Sequence, residues 1–335
     1  MDNSKIYSKL CSKIGFAMLL FYAFFTLSAF AIALFDSPYG TPFPTFQREV
    51  VREIASAVAY FLSFSAAAFI LRRMNKKLPY SRQIYTSFKP SRWLFLFIVA
   101  IIAVNFMIAY LNSIMVSSLS PSFSTSVKQG ADTLSARQPG EKVVLFIISI
   151  VSTAVVPALC EEYLYRGAVL TGLMPYGRTT AIMASSILFG FMHQNPMQLL
   201  YTTLMGVVLG YVYIKTKSIW ACILIHFFNN LVTVLEEYLP VLTGVKWISN
   251  VLDFVIVIVG VIALIVVIAK KDKESQIEEN GSFGVVGEIG LDVEEVELGL
   301  SRTEKIKGFF SGTVVVYSLI CLFSIVQGIA SYYNG

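Results

Sequence analysis

The stretch Ser149–Gly172 reads SIVSTAVVPALCEEYLYRGAVLTG, an apolar run that carries Glu161, Glu162 and Arg166. A run of this length crosses about 30 Å of hydrocarbon as a helix, and ionisable groups at such depth are costly and kept for function. Glu162 and Arg166 stand four apart, the spacing of an ion pair along one helix face. Glu161 lies about 100° round the same helix, free to face something else.

The rest of the chain has the composition this reading requires. Charged residues are only 14% of 335, against about a quarter in a soluble domain, and the mean hydropathy is +0.69. No polar coat is available for a soluble core, so lipid is the solvent. The Lys and Arg residues sit in short clusters between apolar runs, a pattern that sets membrane orientation and excludes nucleic acid as a partner. Four isolated cysteines, Cys11, Cys160, Cys222 and Cys321, show no ligand spacing and predict neither disulfides nor a thiolate metal site.

Apolar runs near 14–35, 54–71, 93–116, 143–172, 179–193, 197–214, 218–239, 251–269 and 309–331 predict an all-α, polytopic transmembrane helical bundle of about nine spans. The fifth run is short and ends in His193-Gln194-Asn195-Pro196, so eight crossings with one re-entrant segment is the alternative. The first run exceeds the roughly 7–15 apolar residues of a signal-peptide core and reads as a retained span. The cluster Arg72, Arg73, Lys76, Lys77, Arg82, Lys89 and Arg92 places the loop after the second span in the cytoplasm, and with it the N-terminus. Three regions are expected: 1–142 with three spans and an external Ser-rich loop at 117–142; a core at 143–240; and 241–335, two spans joined by an acidic cytoplasmic tether at 270–308.

Strongly polar residues concentrate in the core. Both histidines of the chain are there, His193 in ILFGFMHQNP and His226 in SIWACILIHFFNNL. Asn230 follows His226 by four residues, and Phe189 precedes His193 by four, each on one helix face. Counting 1.5 Å per residue from the expected cytoplasmic ends puts His226, Glu161 and His193 at depths of roughly 12, 16 and 21 Å, one layer within the error of the estimate. Asn229, beside Asn230, reads as a helix–helix hydrogen bond.

These segments resemble the motifs of the CAAX protease and bacteriocin-processing family, which includes the Ras-converting CAAX endopeptidases. Glu161-Glu162-Tyr163-Leu164-Tyr165-Arg166 matches E-E-x-x-x-R, Phe189 to His193 matches F-x-x-x-H, and His226 to Asn230 matches H-x-x-x-N. The resemblance covers about 143–240 and implies an intramembrane endopeptidase acting on a membrane-associated peptide or protein. On that pattern Glu161 and His193 would position and deprotonate water. His226 and Asn230 would hold the oxyanion, while Glu162, Arg166 and Phe189 would support them. No cofactor is expected. A zinc site built from Glu161, His193 and His226 is the alternative, because two histidines and a carboxylate also form a zinc set. Rival functions are a non-catalytic membrane regulator or a bacteriocin self-immunity protein on the same fold, and a transporter. Against the transporter, the polar groups form one compact cluster and no inverted repeat is present. Substrate identity and oligomeric state are not encoded in any motif.

Overall fold

A computed structural model describes residues 2–35, 45–77, 83–86, 92–119, 134–279 and 298–334. The larger part of the Ser-rich loop and the centre of the acidic tether lie outside the described residues. The chain is an all-α polytopic bundle. Its first three helices are α1 (Asn3–Phe35), α2 (Thr45–Asn75) and α3 (Arg92–Leu119). The fourth span is composite: α4 (Pro139–Ser149), a π-helical segment (Ile150–Val155), α5 (Val156–Glu162), a second π-helical segment (Tyr163–Leu170), and the short α6 (Thr171–Leu173) with a 3₁₀ turn (Met174–Tyr176). There follow α7 (Arg178–Met192), α8 (Pro196–Thr216), α9 (Ile219–Thr243), α10 (Ile248–Glu279), α11 (Arg302–Phe309) and α12 (Gly312–Asn334).

Eight helices among the described residues are long and apolar enough to cross a membrane. The ninth candidate, α7, has 15 residues, about 22 Å of helix against a core of about 30 Å. Eight of the helices among the described residues therefore qualify, as in the eight-crossing alternative, and the segment that ends in His193 is the one that falls short.

The helices turn small or apolar faces inward and large apolar side chains outward. On α1 the buried set Tyr7, Leu10, Cys11, Ile14, Ala17, Met18 and Phe21 forms one stripe, while Leu27, Phe30 and Leu34 are exposed. Exposed leucine and phenylalanine are stable here because lipid is as apolar as the core. The main buried cluster joins α1 and α2 to the central helices and to Val314, Tyr317 and Cys321 of α12. All four cysteines are buried and unpaired.

The α7–α8 hairpin is the element that sets the site's far wall. A side chain at Gly190 would meet Thr203 Oγ1 at 2.0 Å, and one at Gly206 would meet Ser186 Cα at 2.9 Å, so two glycines let these helices approach backbone to backbone. The turn between them is tight: His193 caps α7, Gln194 takes a left-handed φ of 49°, and Pro196 opens α8. At the other end Ser218 caps α9 by accepting from the Ala221 amide, and Ile219 N donates to Tyr85 O at 2.8 Å. The segment 83–86 thereby pins the start of the helix that carries His226.

Candidate active site

The two glutamates sit between the two π-helical segments, a widening of the helix that is common at functional sites. Pro157 has no N–H to offer the carbonyl of Thr153 four residues earlier. Asn230 Nδ2, from α9, donates to that carbonyl at 3.0 Å. The same side chain's Oδ1 accepts from Asn229 Nδ2 at 3.3 Å, and Asn229 Oδ1 accepts from the Tyr201 hydroxyl at 2.9 Å. Asn229 is thus a helix–helix link, as its sequence context suggests. Asn230 ties α9 to the fourth span at the point where its backbone pairing is interrupted.

Glu162 is fully buried and Arg166 nearly so. Arg166 Nη1 donates to Glu162 Oε1 at 2.9 Å, the i,i+4 pair read from the spacing. Arg166 Nη2 donates to Gly206 O at 3.2 Å, and its guanidinium lies 4.7 Å over the centre of the Phe189 ring. An ion pair at this depth needs such further partners, because desolvation of both charges opposes its formation.

His226 is the residue where the two glutamates meet. Its Nδ1 is 2.8 Å from Glu162 Oε1, and its Nε2 is 3.9 Å from Glu161 Oε2. A carboxylate only accepts, so Nδ1 carries a proton and Nε2 is turned toward Glu161. Glu161 itself is buried. Its Oε1 accepts from the Tyr60 hydroxyl of α2, and its Oε2 has no hydrogen-bond partner among the described residues.

His193, half-buried at the end of α7, is oriented by its own helix. Its Nδ1 is 2.9 Å from Phe189 O, and since a carbonyl only accepts, Nδ1 again holds the proton and Nε2 is the basic nitrogen. The Phe189 ring packs on both imidazoles, with centroids 5.2 Å from His193 and 6.1 Å from His226, both edge-on. His193 lies within electrostatic reach of both Glu161 and His226. The spacing of the F-x-x-x-H segment therefore has two physical uses: a carbonyl that fixes one ring's tautomer, and a ring that spaces both histidines and backs Arg166.

The structure brings Glu161, Glu162, Arg166, Phe189, His193 and His226 into one cluster, with Asn230 one turn along α9. Three features escaped the sequence. Tyr60 belongs to a span that carries no motif; a hydroxyl in an apolar helix signals that a partner exists but not which one. The Glu162–His226 contact crosses helices and leaves no spacing signal. The Thr153 carbonyl could have been flagged by Pro157, though not paired with Asn230. The first spans are also not merely peripheral, since α2 reaches the carboxylate. Among the described residues no group of three His, Cys, Asp or Glu side chains is arranged to hold a metal ion.

A family model described as Type II CAAX prenyl endopeptidase Rce1-like matches residues 143–232. That stretch is similar to the CAAX protease family. The matched segment contains every motif residue named above and excludes Tyr60. A Bacillus subtilis (strain 168) protein, "Putative membrane peptidase YdiL", is 31% identical over 97 residues. The matched stretch covers 28% of this chain and 39% of that protein. No solved structure matches the chain.

Proposed function

We propose that the chain is an intramembrane endopeptidase that cleaves membrane-associated peptides or proteins by metal-free water attack, with 143–240 as its catalytic core. The observation that carries this reading is the position of His226, its Nδ1 on Glu162 and its Nε2 facing the open oxygen of Glu161. Such an arrangement leaves one carboxylate oxygen to act as base and aims a ring nitrogen at the same space.

In the first step Glu161 Oε2 takes a proton from water as the water oxygen bonds to the scissile carbonyl carbon. The basic Nε2 of His193 accepts the water's second hydrogen and holds it in line. Negative charge then develops on the carbonyl oxygen. His226, as imidazolium, donates through Nε2 to that oxyanion while Nδ1 stays on Glu162. With Glu161 protonated, Glu162 and the oxyanion carry the two negative charges that face Arg166 and His226, a balanced set in a low-dielectric site. The free N–H of Asn230 adds a second donor. Collapse breaks the C–N bond, and the proton on Glu161 passes to the leaving amine.

The family description points to substrates with a C-terminal prenylated tail. The apolar clefts on the lipid-facing side of α2, one of about 400 Å³ lined by Val58, Phe61 and Ile147 and one of about 350 Å³ lined by Phe61, Cys160 and Tyr163, suit a substrate arriving from the bilayer. The N-terminus is assigned to the cytoplasm from the basic clusters. The test is purified protein in proteoliposomes with an internally quenched peptide ending in a farnesylated cysteine and three further residues. Cleavage by wild type and none by Glu161→Gln supports the reading. Equal cleavage by both excludes it.

A further inference from the structure

Among the described residues the phenol of Tyr60 is the hydrogen-bond donor on Glu161, and it comes from outside the matched core. The ring is held edge-on by Phe25 of α1, centroids 5.9 Å apart, and packs at 4.5 Å on Phe64. Phe64 in turn packs at 4.3 Å on Phe21. Phe21 and Phe64 are both buried. An aromatic stack across two helices upstream of the family segment thus delivers one hydroxyl to one carboxylate oxygen.

That contact makes the two oxygens of Glu161 unequal. Oε1 is occupied by the phenol, and Oε2 has no hydrogen-bond partner among the described residues and lies 3.9 Å from His226 Nε2. A buried carboxylate with no donor at all would be strongly disfavoured, and one with no directional contact would be free to turn about its last torsion.

We propose that Tyr60 is a positioning residue of the active site, directing Oε2 of Glu161 toward His226 and the attacking water. This rests on the endopeptidase reading above. The phenol serves both protonation states: it donates to Oε1 when Glu161 is ionised, and still donates to Oε1 as the carbonyl oxygen once Oε2 has taken the proton from water. The carboxyl group keeps its orientation through the cycle, and the proton stays on the oxygen nearest the leaving amine. The effect falls on turnover and spares substrate binding.

The experiment compares full-length wild type, Tyr60→Phe, Tyr60→Leu and Glu161→Gln in proteoliposomes, with the farnesylated quenched peptide as probe and thermal melts in parallel. Tyr60→Phe keeps the ring on Phe25 and Phe64 and is expected to lower kcat roughly tenfold or more, with KM and melting temperature near wild type. Tyr60→Leu is expected to lose stability as well. Infrared spectra supply a readout that needs no turnover: the carboxylate band lost in Glu161→Gln is expected to shift in Tyr60→Phe. A wild-type kcat in Tyr60→Phe while Glu161→Gln is inactive overturns the role of Tyr60 and leaves the endopeptidase reading standing. Full activity in Glu161→Gln overturns the endopeptidase reading instead. An unshifted carboxylate band overturns the hydrogen bond itself, whether or not the probe is cleaved.

Discussion

Glu162 Oε1 stands 2.8 Å from His226 Nδ1 while also accepting from Arg166. The adjacent glutamate, Glu161, faces the opposite nitrogen of the same ring. One histidine from α9 therefore contacts both carboxylates of the fourth span, and the proposed division of labour follows from which nitrogen each one meets. Glu162 sets the tautomer and anchors the ring; Glu161 keeps an oxygen open.

Glu162→Gln should consequently damage folding and chemistry together. The neutral amide leaves Arg166 charged and buried beside Phe189, and breaking a buried pair costs about 3–5 kcal/mol. It also removes the charged acceptor of His226 Nδ1. The expected result is a lower melting temperature and lower yield in detergent, with little activity in the fraction that folds. A well-folded Glu162→Gln protein of normal activity would show that the His226 contact has no consequence.

Asn230 holds the carbonyl that Pro157 leaves short of an α-helical partner. Asn230→Ala is expected to retain measurable activity, reduced about 10²–10³-fold as for loss of one oxyanion donor, and to melt earlier than wild type. Pro157→Ala restores an N–H to the fourth span. The stability lost in Asn230→Ala should therefore be smaller in the Pro157→Ala background than in wild type, a coupling that a double-mutant cycle of thermal melts measures. Additive losses would show that Asn230 does not serve that carbonyl.

Phe189→Leu tests the spacer between the histidines. It removes the ring under Arg166 and the edge contacts to His193 and His226 while leaving the backbone carbonyl that orients His193. A stability loss of roughly 1–2 kcal/mol is expected from packing and the lost cation–π contact. A fall in kcat is expected with it, because both imidazoles gain freedom to move. Unchanged kcat in a destabilised protein would confine Phe189 to packing.

The metal-free mechanism predicts that cleavage by wild type survives prolonged dialysis against a strong chelator. Loss of activity that returns on adding zinc would instead support a site assembled from Glu161, His193 and His226.

Much of this was legible in the sequence because the membrane makes polar residues informative. A charged group in an apolar run has few tolerable environments, so Glu161, Glu162, Arg166, His193 and His226 stand out, and the four-residue spacing of Glu162 and Arg166 implies the pair that the structure contains. The same logic fails for groups that an apolar helix tolerates. Tyr60 is an ordinary residue in VAYFLSF, and its importance depends on how α1 and α2 are rotated against the fourth span. Rotation is set by packing between helices, not by hydropathy along one. The span count turns on one element for a related reason: α7 is apolar enough to cross but ends at His193 and the Gln194 turn, so its length, not its composition, favours the eight-crossing alternative.

The most direct measurement of the proposed mechanism is the cleavage rate and melting temperature of purified Glu161→Gln beside wild type, using the farnesylated quenched peptide in proteoliposomes. The amide keeps the shape of the side chain and can still accept from Tyr60, but it cannot take a proton from water. The predicted result is a protein that melts like wild type and cleaves nothing. A Glu161→Gln protein that cleaves at the wild-type rate, beside a folded and inactive Glu162→Gln, would contradict it and exchange the roles of the two glutamates.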